Sequence, residues 1–101
     1  MTINNEKNGS ILTIKITGRL DTISAAKLEE NLNEVPEAVS KLVIDFEKLE
    51  YISSAGLRVL LAAQKKVNAK GGSLEVVNVS KGVMDIFEIT GFDSIMKIKM
   101  K

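Results

Sequence analysis

The chain has no cysteine, no histidine and no tryptophan. These absences remove disulfides, thiolate nucleophiles, imidazole acid–base chemistry and the common zinc sites. A hydrolase triad would then need a lysine base, and no lysine is placed for that role. An excess of one charge is also missing: Lys plus Arg number 14 and Asp plus Glu 13, a net of +1. Nucleic-acid binding needs a clustered positive field, so this near-balance argues against it. No apolar run approaches the roughly 18 residues of a membrane span. The first ten residues are polar, unlike a signal peptide. The expectation is a cytoplasmic, non-enzymatic protein with no direct membrane insertion, no cofactor, no catalytic group and no metal site.

What is present is a chain of 101 residues, 45% of them hydrophobic, which predicts one domain over residues 1–101 with a real core. Leu12, Ile14 and Ile16 alternate with Thr13, Lys15 and Thr17, so residues 10–20 read as a half-buried strand ended by Gly18. A shorter strand over residues 2–6 precedes it, with Asn8-Gly9 as the hairpin turn. Thr22 or Ser24 can cap a helix whose apolar positions are Ala25, Leu28, Leu32 and Val35, stopped by Pro36. Leu42-Val43-Ile44-Asp45-Phe46 reads as a strand buried on both faces, followed by a loop over residues 47–52. Ser53 or Ser54 opens a second helix with Leu57, Leu60, Leu61, Ala63 and Val67 inward and Gly71-Gly72 as its stop. Residues 74–79 form another buried strand. Ser80 caps a third helix carrying Val83, Ile86, Phe87 and Ile89, ended by Gly91. Residues 95–101, with Lys97, Lys99 and Lys101 alternating, form a final amphipathic strand. The order β-β-α-β-α-β-α-β predicts an α/β fold: a mainly parallel mixed sheet of about five strands, an antiparallel N-terminal hairpin, and helices packed on the sheet.

Binding sites in such folds gather at the carboxyl ends of the parallel strands. Two strand-to-helix loops meet there, carrying Asp21 and Thr22 on one side and Ser53 and Ser54 on the other. Gly56 falls in the first turn of a helix, where Gly is unfavourable by up to about 1 kcal/mol relative to Ala. It is expected to permit close approach by another backbone or by a protein surface. The helix start offers free N–H groups and the positive end of the dipole to an anion such as a phosphate on Ser54. The plainer alternative is that Ser53 is an N-cap, Ser54 an ordinary first-turn residue and Asp21 a cap. Asp45, ending an apolar strand, is expected to bond nearby backbone.

These residues carry a specific resemblance. Gly18-Arg19-Leu20-Asp21 resembles the GxLD segment of STAS domains. The run Asp45-Phe46-Glu47-Lys48-Leu49-Glu50-Tyr51-Ile52-Ser53-Ser54-Ala55-Gly56-Leu57-Arg58-Val59-Leu60-Leu61 resembles their signature. Gly71-Gly72, Val77-Asn78-Val79-Ser80 and Ile89-Thr90-Gly91-Phe92 fit the later pattern. The match covers nearly the whole chain and is most similar to stand-alone anti-sigma factor antagonists. The resemblance implies a partner that is both anti-sigma factor and serine kinase of the GHKL type. It also implies a phosphoacceptor at Ser54 and a PP2C-type phosphatase that reverses the modification. Asp21, Thr22, Ser53, Ser54, Ala55, Gly56, Leu57 and Arg58 are the implied partner-binding residues. Arg58 can pair with a phosphate or with a partner carboxylate. Two other functions fit the same fold. One is a scaffold subunit of a transporter or stress-signalling complex. The other is a small nucleotide-binding domain, for which neither GxGxxG nor a P-loop lysine is present.

Overall fold

The computed structural model describes residues 1–101. Strand β1 (Thr2–Asn8) pairs antiparallel with β2 (Ile11–Leu20), and Asn8 faces Ile11 across the turn. The two turn residues are therefore Gly9 and Ser10, one position later than Asn8-Gly9. Gly9 has φ +64° and Ser10 is not in the left-handed region, which matches a type II′ turn with Gly first. Helix α1 (Thr22–Asn33), β3 (Lys41–Ile52), α2 (Ser54–Ala69), β4 (Ser73–Val79), α3 (Lys81–Thr90), a 3₁₀ turn at Phe92–Ser94 and β5 (Lys97–Met100) follow. The expected β-β-α-β-α-β-α-β order is present. Helix α1 stops before Val35, and the last strand starts two residues after Ile95. Ile89 lies on the outer side of α3, 84% exposed, because the covered stripe of that helix is Val83 and Phe87.

The five strands stand in the order β1-β2-β3-β4-β5, and every pair after the first is parallel. The chain crosses the sheet in one direction without reversing. Right-handed crossovers then place each helix on the same face. Leu12, Ile14 and Ile16 of β2, Leu42, Ile44 and Phe46 of β3, and Leu74 and Val76 of β4 pack beneath the helices. Phe46 stacks on Phe87, and Phe87 on Phe92, at centroid separations of 6.4 and 6.3 Å. The opposite face is open, so β3 is not buried on both sides. Its Val43 and Asp45 are only half-buried. A sheet order without a reversal also has no switch-point crevice of the kind that holds nucleotides.

The open face contains one buried charge. Glu75 is 6% exposed, covered by lysines from β3 and β5. Lys99 Nζ is 3.3 Å from its carboxylate, Lys41 3.6 Å and Lys97 3.8 Å. The alternating lysines of the last strand thus have a function beyond facing water. Burial pushes the Glu75 carboxyl up, but the Lys99 contact and the fields of Lys41 and Lys97 outweigh it, and the net direction is downward. A carboxyl with a depressed folded-state pKa stabilises above its unfolded pKa and loses that contribution as pH falls through the folded value. Glu75→Gln is therefore expected to lower stability at pH 7 by about 1 kcal/mol, the sum of small half-exposed pairs. Thermal melts should show the wild type and the variant converging in acid, where both side chains are neutral. A constant gap at all pH values would contradict this.

Candidate functional site

The site is built where β2 and β3 hand over to their helices. β2 runs past Gly18 to Leu20, whose side chain is fully buried. Asp21 then caps α1. Its Oδ1 accepts from the Ser24 N–H at 2.9 Å, and Ser24 Oγ accepts from the Asp21 N–H at 2.9 Å. This is a reciprocal capping box with a serine at the third helical position. Ser24 therefore supports the cap, and Thr22 is the first helical residue, not the cap. The Ser24 N–H, then the Ser24 hydroxyl, hold the Asp21 carboxyl below the usual aspartate range. Asp21 is a fixed negative charge at this edge.

The segment expected as a loop over residues 47–52 is strand. Thr17 pairs with Lys48, Gly18 with Leu49, Arg19 with Tyr51 and Leu20 with Ile52. Two register shifts, after Lys15 and after Gly18, each leave an extra residue on β3. Each bulge twists the strand and re-aims the next side chain. Phe46, Leu49 and Ile52 are buried at a spacing of three instead of two. Asp45 accepts from the Glu47 N–H at 2.9 Å beside the first shift, and from Asn78 Nδ2 at 3.0 Å.

The bulges bring the end of β3 against the end of β2. The Ser53 N–H donates to the Leu20 carbonyl at 2.8 Å. Ser53 is the N-cap of α2, and its Oγ accepts from the Gly56 N–H at 3.2 Å. One hydrogen bond thus ties the residue before the Asp21 cap to the Ser53 cap. Gly56 is buried beneath this junction. A Cβ there would lie 2.8 Å from Leu20 Cγ and 3.0 Å from Ile52 Cγ1. The close approach that Gly56 allows here is by the Leu20 and Ile52 side chains. Gly56 and Leu57 are buried and lie beneath the exposed residues of this edge.

Ser54 is the first residue of α2, exposed, and outside the cap. No acidic residue occupies the first turn, so the positive end of the dipole is uncompensated. The Gly56 N–H is taken by Ser53. The Ser54 and Ala55 N–H groups, in the first turn, have no partner within the helix. Arg58 is exposed four residues on, on the same helix face as Ser54. Ala25, Ala26, Glu29, Ala55, Arg58 and Val59 line a shallow groove between α1 and α2. No group of three or more carboxylates is close enough to hold a metal, and no helix is long and apolar enough to cross a membrane.

Ile23 escaped the sequence reading. It is 83% exposed in the first turn of α1, next to Thr22. An isoleucine out of step with Ala25, Leu28 and Leu32 is the signal that could have found it. Arg19 lies over the Tyr51 ring at 4.3 Å on the same sheet end. No local pattern announces that contact, because the bulges create it.

A model of the STAS domain family matches residues 2–101. An anti-sigma-B factor antagonist of Bacillus subtilis (strain 168) is 33% identical over 96 residues, covering 95% of this chain and 88% of that protein. The crystal structure of an anti-sigma factor antagonist from Mycobacterium paratuberculosis superposes with a TM-score of 0.88 at 25% identity, covering 99% of this chain and 86% of that one. The Bacillus cell fate determinant SpoIIAA in its phosphorylated form superposes with a TM-score of 0.78 at 20% identity, covering 96% of this chain and 90% of that one.

Proposed function

Because this chain belongs to the STAS domain family, we propose that it is an anti-sigma factor antagonist switched off by phosphorylation of Ser54. The observation that carries the residue assignment is the division of labour at α2. Ser53 spends its oxygen on the Gly56 N–H, whereas Ser54 presents a free hydroxyl at the helix start. Phosphate on Ser53 would compete with the cap. Phosphate on Ser54 would sit at the dipole and leave the fold intact. The likeness to an anti-sigma-B factor antagonist supports the class of partner, and SpoIIAA, which shares the fold, exists in a phosphorylated form.

In this reading the unmodified surface of Asp21, Thr22, Ile23, Ser53, Ser54, Ala55 and Arg58 docks on an anti-sigma factor in the cytoplasm and releases its sigma factor. The partner is a GHKL-type serine kinase, and a PP2C-type phosphatase restores binding. The protein acts by occupancy, not catalysis. The phosphate adds about −1.5 to −2 charges beside the fixed charge of Asp21, and an interface that accepted small neutral groups must then desolvate a dianion. Incubation with ATP and candidate anti-sigma kinases, followed by phosphosite mapping, tests this. Phosphate on Ser53 with Ser54 bare would overturn the assignment. A protein left unmodified by every such kinase would favour a constitutive scaffold.

Ile23 is the apolar anchor of this surface. Ile23→Ala is expected to weaken partner binding about tenfold or more, as loss of an interface anchor does. Its thermal stability should stay within about 0.5 kcal/mol, because the side chain packs on little in the free protein. Calorimetric titration beside a thermal melt checks both halves.

A further inference from the structure

The two helices that carry the Ser54 edge enclose a second feature at their other ends, roughly 24 Å along α2. A cavity of about 180 Å³ lies between the last turns of α1 and α2. Leu32, Leu42, Ala63 and Val67 form its apolar wall. Lys66 and Lys70 stand at its rim. Their ammonium groups reach across to the far side, Lys66 to Asn33 Oδ1 at 3.4 Å and Lys70 to the Glu37 carbonyl at 3.5 Å. Both contacts are long and neutral, and neither lysine is in an ion pair. Glu37, the one acidic residue at the rim, pairs with neither.

Lysines near a helix C-terminus compensate the dipole wherever they point. That role does not account for two of them arching over an apolar cavity, neither in an ion pair. We propose that this cavity binds a short aliphatic carboxylate, its chain among Leu32, Leu42, Ala63 and Val67 and its head between Lys66 and Lys70. The size selects the ligand: an apolar cavity of about 150 Å³ takes up benzene, so about six carbons fit here. Pockets for drug-sized molecules need roughly 300–1,000 Å³. The lysine stems extend the apolar wall while their heads remain wet. The site is independent of the Ser54 switch in its residues and its chemistry.

The full chain is titrated with hexanoate up to about 10 mM and followed by amide NMR, with hexylammonium and 1-hexanol in parallel. The expected result is saturable shifts confined to residues 32–42 and 63–70. Hexylammonium and hexanol should bind at least about tenfold more weakly, since they lack the charge-assisted contacts. Lys66→Gln combined with Lys70→Gln, both on the surface, should abolish the preference for hexanoate, and Lys65→Gln should leave it unchanged. No saturable shifts, equal binding of the three probes, or an unchanged preference in the double variant would each overturn the proposal.

Discussion

Ser54→Asp is expected to weaken binding to the anti-sigma partner by at least about a hundredfold, whereas Ser54→Ala should bind as the wild type does and resist phosphorylation. The asymmetry follows from the position. Ser54 is exposed at the head of α2 and its side chain is outside the cap, so loss of the hydroxyl leaves the docking surface in place. A carboxylate there must be desolvated on docking, opposite a partner shaped for a hydroxyl, and an unpaired buried charge costs several kcal/mol. A hundredfold is about 2.7 kcal/mol. The folded protein itself should not suffer, because a negative charge at a helix start contributes about 0.3–1 kcal/mol in its favour. Surface plasmon resonance against the partner, with a thermal melt of each variant, separates the two effects. A Ser54→Asp protein that binds normally, or that fails only because it unfolds, would contradict the switch.

Gly56→Val should be the more damaging change to the fold. The first carbon added would sit 2.8 Å from Leu20 Cγ and 3.0 Å from Ile52 Cγ1. Leu20 is fully buried and its carbonyl holds the Ser53 N–H, so neither the side chain nor the backbone has room to retreat. Overpacking of this kind costs about 1–3 kcal/mol, and the branched side chain places the change at the upper end. The gain in helix propensity over Gly, below about 1 kcal/mol, offsets part of it. The expected net loss is about 2 kcal/mol, a fall in Tm of roughly 8–16 °C for a domain of this size. Because the strain falls between the Asp21 and Ser53 caps, partner binding should weaken too. Chemical denaturation measures the first effect. A variant as stable as the wild type would show that the junction is loosely packed.

Several parts of the site were legible because they are local. An Asp or Ser before an apolar helical stripe announces a cap, and Ser80 does so at α3 by accepting from the Val83 N–H at 3.3 Å. The two βα junctions must lie on one edge of a parallel sheet, so the sequence alone brings Asp21 and Ser53 together. The same reasoning does not show that Gly56 packs against Leu20 and Ile52, because those neighbours come from outside its helix. It missed Ile23 because attention to the buried stripe passes over an apolar residue beside it.

What the sequence determined by itself is the set of elements with a short-range cause: the alternation of β2, the helical stripes of α1 and α2, the caps, and the glycine stops. Three features depended on the tertiary structure. The bulged half of β3 breaks its own period because pairing with β2, and not its own composition, supplies the extra residues. The sheet is covered on one side only because the strand order never reverses, a property of the whole chain. Glu75 is held by Lys41 of β3 and by Lys97 and Lys99 of β5, the two strands that flank its own. Periodicity records what a residue does relative to its near neighbours in sequence. It contains no term for neighbours that only the folded sheet brings together.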